Sequence, residues 1–250
     1  MEFLTSSKTL SFQLERPVPT QERPAKVHPP KPQPQPTRSK AAAEFPLQAD
    51  NRRLAAVQKR AFDLAVAGLV TLFVLSWLIP VLCLLIRATS AGPPIFVQVR
   101  SGRRGTQFRC LKFRTMSYAK NAEFSQATRN DQRVTGLGRI LRRTNLDEMP
   151  QFLNVLMGHM SIVGPRPHPL PLDAQYWHSL PGYKNRYLVK PGITGLAQSR
   201  GARGETGEAY KMKLRLQYDT LYIRRQSLLL DLKICWWTVQ AALGGNKNAW

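Results

Sequence analysis

Asp147-Glu148 is the pair in this chain best suited to chemistry. Two adjacent carboxylates supply a nucleophilic oxygen and a hard oxygen ligand for a divalent cation. Arg142-Arg143-Thr144-Asn145 precedes the pair and Pro150 follows it. Proline is tolerated only in the first turn of a helix, so a helix is expected to start beside the carboxylates, capped by Thr144 or Asn145. The positive end of that helix would keep both groups ionised at neutral pH. Acids also stand at helix starts as simple caps, and from the pair alone that reading is the stronger one. The cations around it favour phosphate chemistry. Lys112 and Arg114 lie two apart on an expected strand and so share one face. Arg142, Arg143 and Arg166 add charge; lysine offers a point charge to phosphate oxygens and arginine a planar fork. Arg166 sits in the stiff loop Gly164-Pro165-Arg166-Pro167, and Lys190-Pro191-Gly192-Ile193-Thr194-Gly195 is a second rigid basic loop. His159, His168 and His178 read as surface residues.

These groups belong to a strongly basic chain. Its 250 residues contain 37 Lys and Arg against 15 Asp and Glu, a formal net charge of +22. Such an excess points to an acidic partner: nucleic acid, an anionic membrane or a phosphate-rich substrate. Residues 87–250 hold 26 of the basic residues and 9 of the acidic ones, so the charge belongs to the C-terminal region. A nucleic-acid binder would show a continuous basic stripe with stacking aromatics or a docking helix, and neither is found. No nucleic-acid partner is therefore expected. Cys83, Cys110 and Cys235 are far apart, which argues against a disulfide framework or a zinc site and fits a reducing compartment.

Three segments are expected to carry the site. Residues 1–50 form a basic arm with nine prolines between positions 17 and 46, a composition that stays extended and solvated. Residues 51–90 hold the membrane helix. Leu64–Ile86 is 23 residues without a charge, long enough for a hydrocarbon core about 30 Å thick. Basic residues flank it on both sides, so the charge pattern assigns no inside. Pro80 clashes with the carbonyl four residues back, at Ser76, and a kink there would return both ends to one face; the Ser76 hydroxyl would help satisfy the freed backbone group. A single kinked spanning helix is the competing geometry. Residues 91–250 form the catalytic domain. Ile95–Arg100 and Thr106–Met116 read as a hairpin, Leu137–Arg143 and Gln151–Met160 as helices, 164–207 as loop, and Gly207–Leu243 as mostly helical. The fold class is α+β: a membrane-inserted, kinked helix plus a mainly helical cytoplasmic domain with a small hairpin.

Residues 59–250 resemble the bacterial sugar transferases, the monotopic polyprenol phosphate sugar-1-phosphate transferases. The matching segments are Lys59-Arg60-Ala61-Phe62-Asp63, Lys112-Phe113-Arg114-Thr115-Met116, Leu146-Asp147-Glu148-Met149-Pro150-Gln151, Ser161 to Pro167, Lys190 to Gln198, and Asp231-Leu232-Lys233-Ile234. The resemblance implies transfer of a sugar 1-phosphate from a nucleotide sugar to undecaprenyl phosphate at the bacterial inner membrane, with Mg²⁺, to start a polysaccharide. It implies that Asp147 attacks the sugar-proximal phosphate and that Glu148 binds the metal. Lys112, Arg114, Arg143 and Arg166 would hold phosphates, and Asp219 would be a further active-site acid. Segments at Arg203-Gly204-Glu205-Thr206, Lys211-Met212 and Lys247-Asn248-Ala249 are similar to the glucose 1-phosphate branch, so UDP-glucose is expected first and UDP-galactose second. The family usually places Ser-Pro adjacently in the membrane helix; here Trp77 follows Ser76 and the proline is Pro80. A membrane-anchored scaffold or nucleic-acid binder is the alternative of a different class. Oligomeric state stays open, a homo-oligomer included.

Overall fold

The computed structural model describes residues 49–118, 125, 127, 128, 131–202 and 209–244. The proline-rich arm, Arg203-Gly204-Glu205-Thr206 and Lys247-Asn248-Ala249 lie outside the described residues, except for the arm's last two positions.

Helix α1, Ala49–Val70, runs into a π turn at Thr71–Leu75 and continues as α2, Ser76–Thr89. A stretch of 37 residues, Arg53–Thr89, is long and apolar enough to cross a membrane, and only 22% of its most apolar window is buried. Leu75, Leu78, Leu82 and Ile86 recur at helical spacing and pack with Phe113 and Leu141. Each such side chain contributes about 1.5–3 kcal/mol when fully buried. The remaining surface is equally apolar: Leu69, Leu72, Phe73, Trp77 and Leu84 are exposed. A helix apolar all round requires a nonaqueous environment on its uncovered side.

The helix is hydrogen-bonded through Pro80 to Thr89, and its irregular turn precedes the proline. π turns and prolines are the usual causes of helix kinks, and here both occur within one short stretch. The Ser76 hydroxyl donates to the carbonyl of Leu72 at 2.7 Å, one turn earlier than the group Pro80 deprives of its donor. The Trp77 indole N–H donates to the carbonyl of Phe73 at 2.9 Å.

Strands β1, Ile95–Ser101, and β2, Gln107–Phe113, form the expected antiparallel hairpin, with Ile95 opposite Phe113 and Ser101 opposite Gln107. β2 stops three residues before Met116, so Arg114 lies past its end. Helices α3, Gly136–Arg143, and α4, Gln151–Leu156, flank a 3₁₀ turn at Leu146–Glu148. α4 is shorter than its apolar period suggests, because Gly158 takes φ +83° and turns the chain. Neither Thr144 nor Asn145 caps it. The Thr144 hydroxyl donates back to Ile140 in α3, and Asn145 adopts φ 56° with no side-chain cap bond.

Residues 164–202 are more ordered than their Pro and Gly content suggests, and 203–207 lie outside the described residues. The described stretch holds α5, Leu170–Tyr176, a 3₁₀ turn at Tyr183–Leu188, and α6, Leu196–Ser199. It also supplies β4, Gly192–Thr194, which pairs in parallel with β3, Ser161–Val163. A side chain at Gly192 would lie 2.1 Å from the Gly164 nitrogen, so this approach requires glycine. Helices α7, Ala209–Arg225, and α8, Leu228–Leu243, follow, and among the described residues the fold combines helices with two small two-stranded sheets.

Candidate active site

Asn145, in its left-handed conformation, redirects the chain after α3 into the 3₁₀ turn. Leu146 and Met149 pack against the apolar cluster of α2. Asp147 and Glu148 lie between them. Asn154 in α4 clamps this region onto the hairpin, its amide accepting from the Leu111 N–H at 2.9 Å and donating to the Arg109 carbonyl at 2.7 Å. Arg60 of α1 reaches the end of α4 and donates to the carbonyls of Val155 at 2.8 Å and Leu156 at 3.1 Å. The Val155 carbonyl also accepts from the Gly158 N–H at 2.9 Å, and a cation at this helix end stabilises its terminal carbonyls.

Lys112 and Arg166 converge on Glu148. The Lys112 ammonium donates to Oε1 at 2.6 Å; Arg166 grips both oxygens, through Nη1 to Oε2 at 2.9 Å and through Nη2 to Oε1. Burial alone would raise the Glu148 carboxyl, but the Arg166 and Lys112 charges outweigh it and hold the group well below the usual carboxylate range. Asp147 differs. Among the described residues its carboxylate makes no hydrogen bond or ion pair. Burial pushes it up to about 6; Lys112 opposes the shift and ionised Glu148 adds to it. Adjacent carboxylates are thus split: Glu148 is a fixed anion, and Asp147 is an anion at neutral pH with unengaged oxygens.

Arg142 keeps its guanidinium near the pair's field, and burial lowers its pKa while Asp147 raises it; its Nε donates to Thr115 Oγ1 at 2.9 Å. Arg143 is exposed at the end of α3. Arg114 is elsewhere: buried, it donates from Nη2 to the Ser90 carbonyl at 2.7 Å and the Ser90 hydroxyl at 2.8 Å, and so ties the end of α2 to β2. Asp219 is 2% exposed and accepts from Arg186 Nε at 2.8 Å. Burial raises its pKa and Arg186 opposes the rise. Arg186 in turn donates from Nη2 to the Arg166 carbonyl at 2.6 Å. Asp219 therefore stands behind Arg166 through Arg186, two residues removed from the carboxylate pair. Ser76 and Pro80 lie on α2.

His168 is a correction to the sequence reading. It is 3% exposed, its Nδ1 facing Arg186 Nη1 at 2.7 Å and the Tyr183 hydroxyl at 2.6 Å. Burial, then Arg186 and Arg215, holds its pKa well below the ordinary histidine value, so it stays neutral. Tyr183 donates to Asp173 at 2.7 Å. Arg186, Tyr183 and Asp173 were invisible in the sequence, because long loops bring them together and no periodicity or short spacing joins them. A second buried network docks α1: Lys59 bridges Asp63 at 3.2 Å and Asp231 at 2.9 Å, and Asp63 accepts from the Ser161 hydroxyl and the Ile162 N–H.

Among the described residues no three His, Cys, Asp or Glu side chains converge. Mg²⁺ is commonly held by one or two carboxylates, with phosphates and water completing its shell. A carboxylate has about four acceptor positions. Lys112 and Arg166 take three of those on Glu148 and leave one on Oε2, while Asp147 keeps all of its own. The pair fits such a cation.

The profile of the bacterial sugar transferases matches residues 54–245. The chain belongs to the bacterial sugar transferase family. It is 50% identical over 184 residues to a UDP-glucose:undecaprenyl-phosphate glucose-1-phosphate transferase of Klebsiella pneumoniae, covering 73% of this chain and 39% of that protein. The protein of the same description from Escherichia coli (strain K12) is 48% identical over 78% of this chain and 41% of its own length. That of Caulobacter vibrioides is 45% identical over 75% of this chain and 70% of its own. This sugar transferase family member thus spans about two fifths of the first two relatives. The matched region contains every residue of the cation–carboxylate cluster.

Proposed function

We propose that this chain transfers glucose 1-phosphate from UDP-glucose to undecaprenyl phosphate, through a phosphosugar ester on Asp147, and so initiates an exopolysaccharide. The observation that carries the reading is Asp147 itself: an ionised carboxylate with no hydrogen bond or ion pair among the described residues, beside a neighbour already neutralised by two cations. An Asp147 oxygen attacks the sugar-bearing phosphorus. The bond from that phosphorus to the bridging oxygen breaks, and UMP leaves with the electron pair. An undecaprenyl phosphate oxygen then attacks the same phosphorus and expels the Asp147 carboxylate, giving the lipid diphosphate sugar. Lys112, Arg142 and Arg166 offset the charge of two approaching anions. Arg143 is exposed at the rim, where it meets the incoming phosphates. Mg²⁺, held by Asp147 and the open oxygen of Glu148, would supply further charge neutralisation on the diphosphate. UDP-galactose is the second donor. The relatives' names, which include an exopolysaccharide production protein of Rhizobium leguminosarum bv. phaseoli at 41% identity, support this class of reaction.

The membrane segment fits a re-entrant seat. Lys59, Arg60 and Asp63 dock one end of the apolar stretch to the folded domain, and Arg114 docks the other through Ser90. A helix tied at both ends to the same domain keeps both ends on one side, here the cytoplasmic face of the inner membrane. The donor is then reached from water and the acceptor from lipid.

UMP release from radiolabelled UDP-glucose tests the reading, with detergent-purified protein, undecaprenyl phosphate and Mg²⁺. Turnover that needs the lipid and vanishes in Asp147→Asn is expected. Wild-type turnover in that variant overturns the covalent route, and no UMP release with any nucleotide sugar overturns the activity.

A further inference from the structure

Arg166 sits between two prolines, so the residue on either side of it lacks a backbone N–H. The fold can hold such a loop mainly through its carbonyls, and four in succession are taken. The Pro165 carbonyl accepts from the Gly192 N–H at 3.0 Å, and that of Arg166 from Arg186 Nη2 at 2.6 Å. The Pro167 carbonyl accepts from Arg100 Nη1 at 2.7 Å, and that of His168 from the Ser101 N–H at 3.4 Å. β4, the 3₁₀ turn at Tyr183–Leu188 and β1 thus each grip the loop.

Arg100 is the least expected of these donors. It is 8% exposed, and among the described residues it pairs with no carboxylate. Burial lowers its pKa, and burying a charge without a counter-ion is costly. A neutral amide would satisfy the Pro167 carbonyl without that cost. What an amide lacks is a rigid planar fork with N–H groups aimed two ways. Arg100 uses both directions: Nη1 holds Pro167, while Nε at 3.3 Å and Nη2 at 3.0 Å donate to Gln98 Oε1. Gln98 is two residues earlier on β1, hence on the same face of the strand. It locks the fork, and the locked fork fixes the loop.

The same hairpin carries Lys112 on β2. Lys112 reaches Glu148 directly, and Arg166 reaches it from the loop that β1 holds. The two strands therefore set the two cations of the site relative to each other. The charges of Arg166 and Glu148 both act on Arg100, which places the brace close behind the cluster.

We infer that Arg100, braced by Gln98, is a positioning residue that fixes the Arg166 fork where the diphosphate of the donor binds, an assignment that deepens the proposed transfer and rests on it.

The test is a double-mutant cycle on the full chain in detergent, read by UMP release and separately by calorimetric binding of UDP with Mg²⁺. Arg100→Met should lower kcat/KM for UDP-glucose about tenfold and weaken UDP by a similar factor. In an Arg166→Lys background the same change should cost less than about twofold, because a fork already lost cannot be misplaced. Gln98→Leu keeps the guanidinium but frees it, and should give a loss of about threefold with the same dependence on Arg166. It carries the cycle should Arg100→Met fail to fold. A role confined to folding lowers activity by the same factor in both backgrounds. That result, or wild-type kcat/KM and UDP affinity in Arg100→Met, would overturn the inference. No UMP release by the wild-type chain overturns the proposed transfer instead, and the UDP cycle then decides the inference alone. A wild-type chain that binds no UDP overturns it as well.

Discussion

At the residue scale, Asp147 is expensive for the fold and useful for the chemistry. Its carboxyl is raised from 3.8 to about 6, so in the folded state it holds a proton between those values while the unfolded chain has released it. The neutral form therefore stabilises the fold at low pH, and this stabilisation is lost as pH rises to about 6. Asp147→Asn keeps the neutral form at every pH. It should unfold later than wild type at pH 7.5, by on the order of 2 kcal/mol, and the gain should fade towards pH 4. Thermal melts at both pH values check this. Activity runs the other way. On the proposed route the attacking oxygen must be ionised, so kcat/KM should fall about tenfold between pH 7.5 and pH 5. Lys112 opposes the upward shift; Lys112→Met should move that acid limb to higher pH, which a pH–rate profile reads directly.

At the element scale, the stiff loop bearing Arg166 is held from behind. Asp219 fixes Arg186, and Arg186 holds the Arg166 backbone. Removing one member of a buried ion pair costs about 3–5 kcal/mol, so Asp219→Asn should lower the melting temperature. If its effect on catalysis passes through Arg166, the double variant Arg166→Lys, Asp219→Asn should raise KM for UDP-glucose no further than the worse single variant. Losses that multiply would give Asp219 an independent role. Much of this scale was legible in the sequence. The hairpin followed from alternation and a Gly-Arg-Arg-Gly turn, α3 from a short basic run, α4 from its apolar period, and α7 with α8 as one mostly helical stretch. The carboxylate pair and its cations stood out by residue type. Arg114 was misleading, because strand alternation placed it beside Lys112 while the strand ends at Phe113 and the guanidinium turns to Ser90. His168 was missed for a related reason: a histidine after two prolines reads as surface, and only the distant Tyr183 and Arg186 bury it.

At the scale of the whole molecule, charge and apolarity make separable contributions to membrane binding. A net charge of +22 draws the chain to anionic bilayers, and that attraction is screened by salt. The apolar helix, 37 residues long and mostly uncovered, is insensitive to salt. Vesicle flotation at 1 M salt should therefore retain the wild-type chain on neutral and anionic lipids alike. A variant with Phe73, Trp77 and Leu84 changed to Ser should bind anionic vesicles at low salt and float free at high salt. The length and charge gap of this helix were plain in the sequence; its π turn was not, because no residue type specifies one.

Lys59 touches Asp63 beside it and Asp231 near the other end of the described chain. Translation makes these partners at very different times. The apolar helix leaves the ribosome early and can reach lipid at once, yet Asp231, the second partner of Lys59, arrives only with α8. In that interval Lys59 already faces Asp63 but lacks Asp231, and the helix rests in the bilayer without its full scaffold. Maturation thus proceeds from anchoring to closure, with the last helix acting as the latch, and nascent chains arrested before Leu228 should be membrane-bound but protease-sensitive.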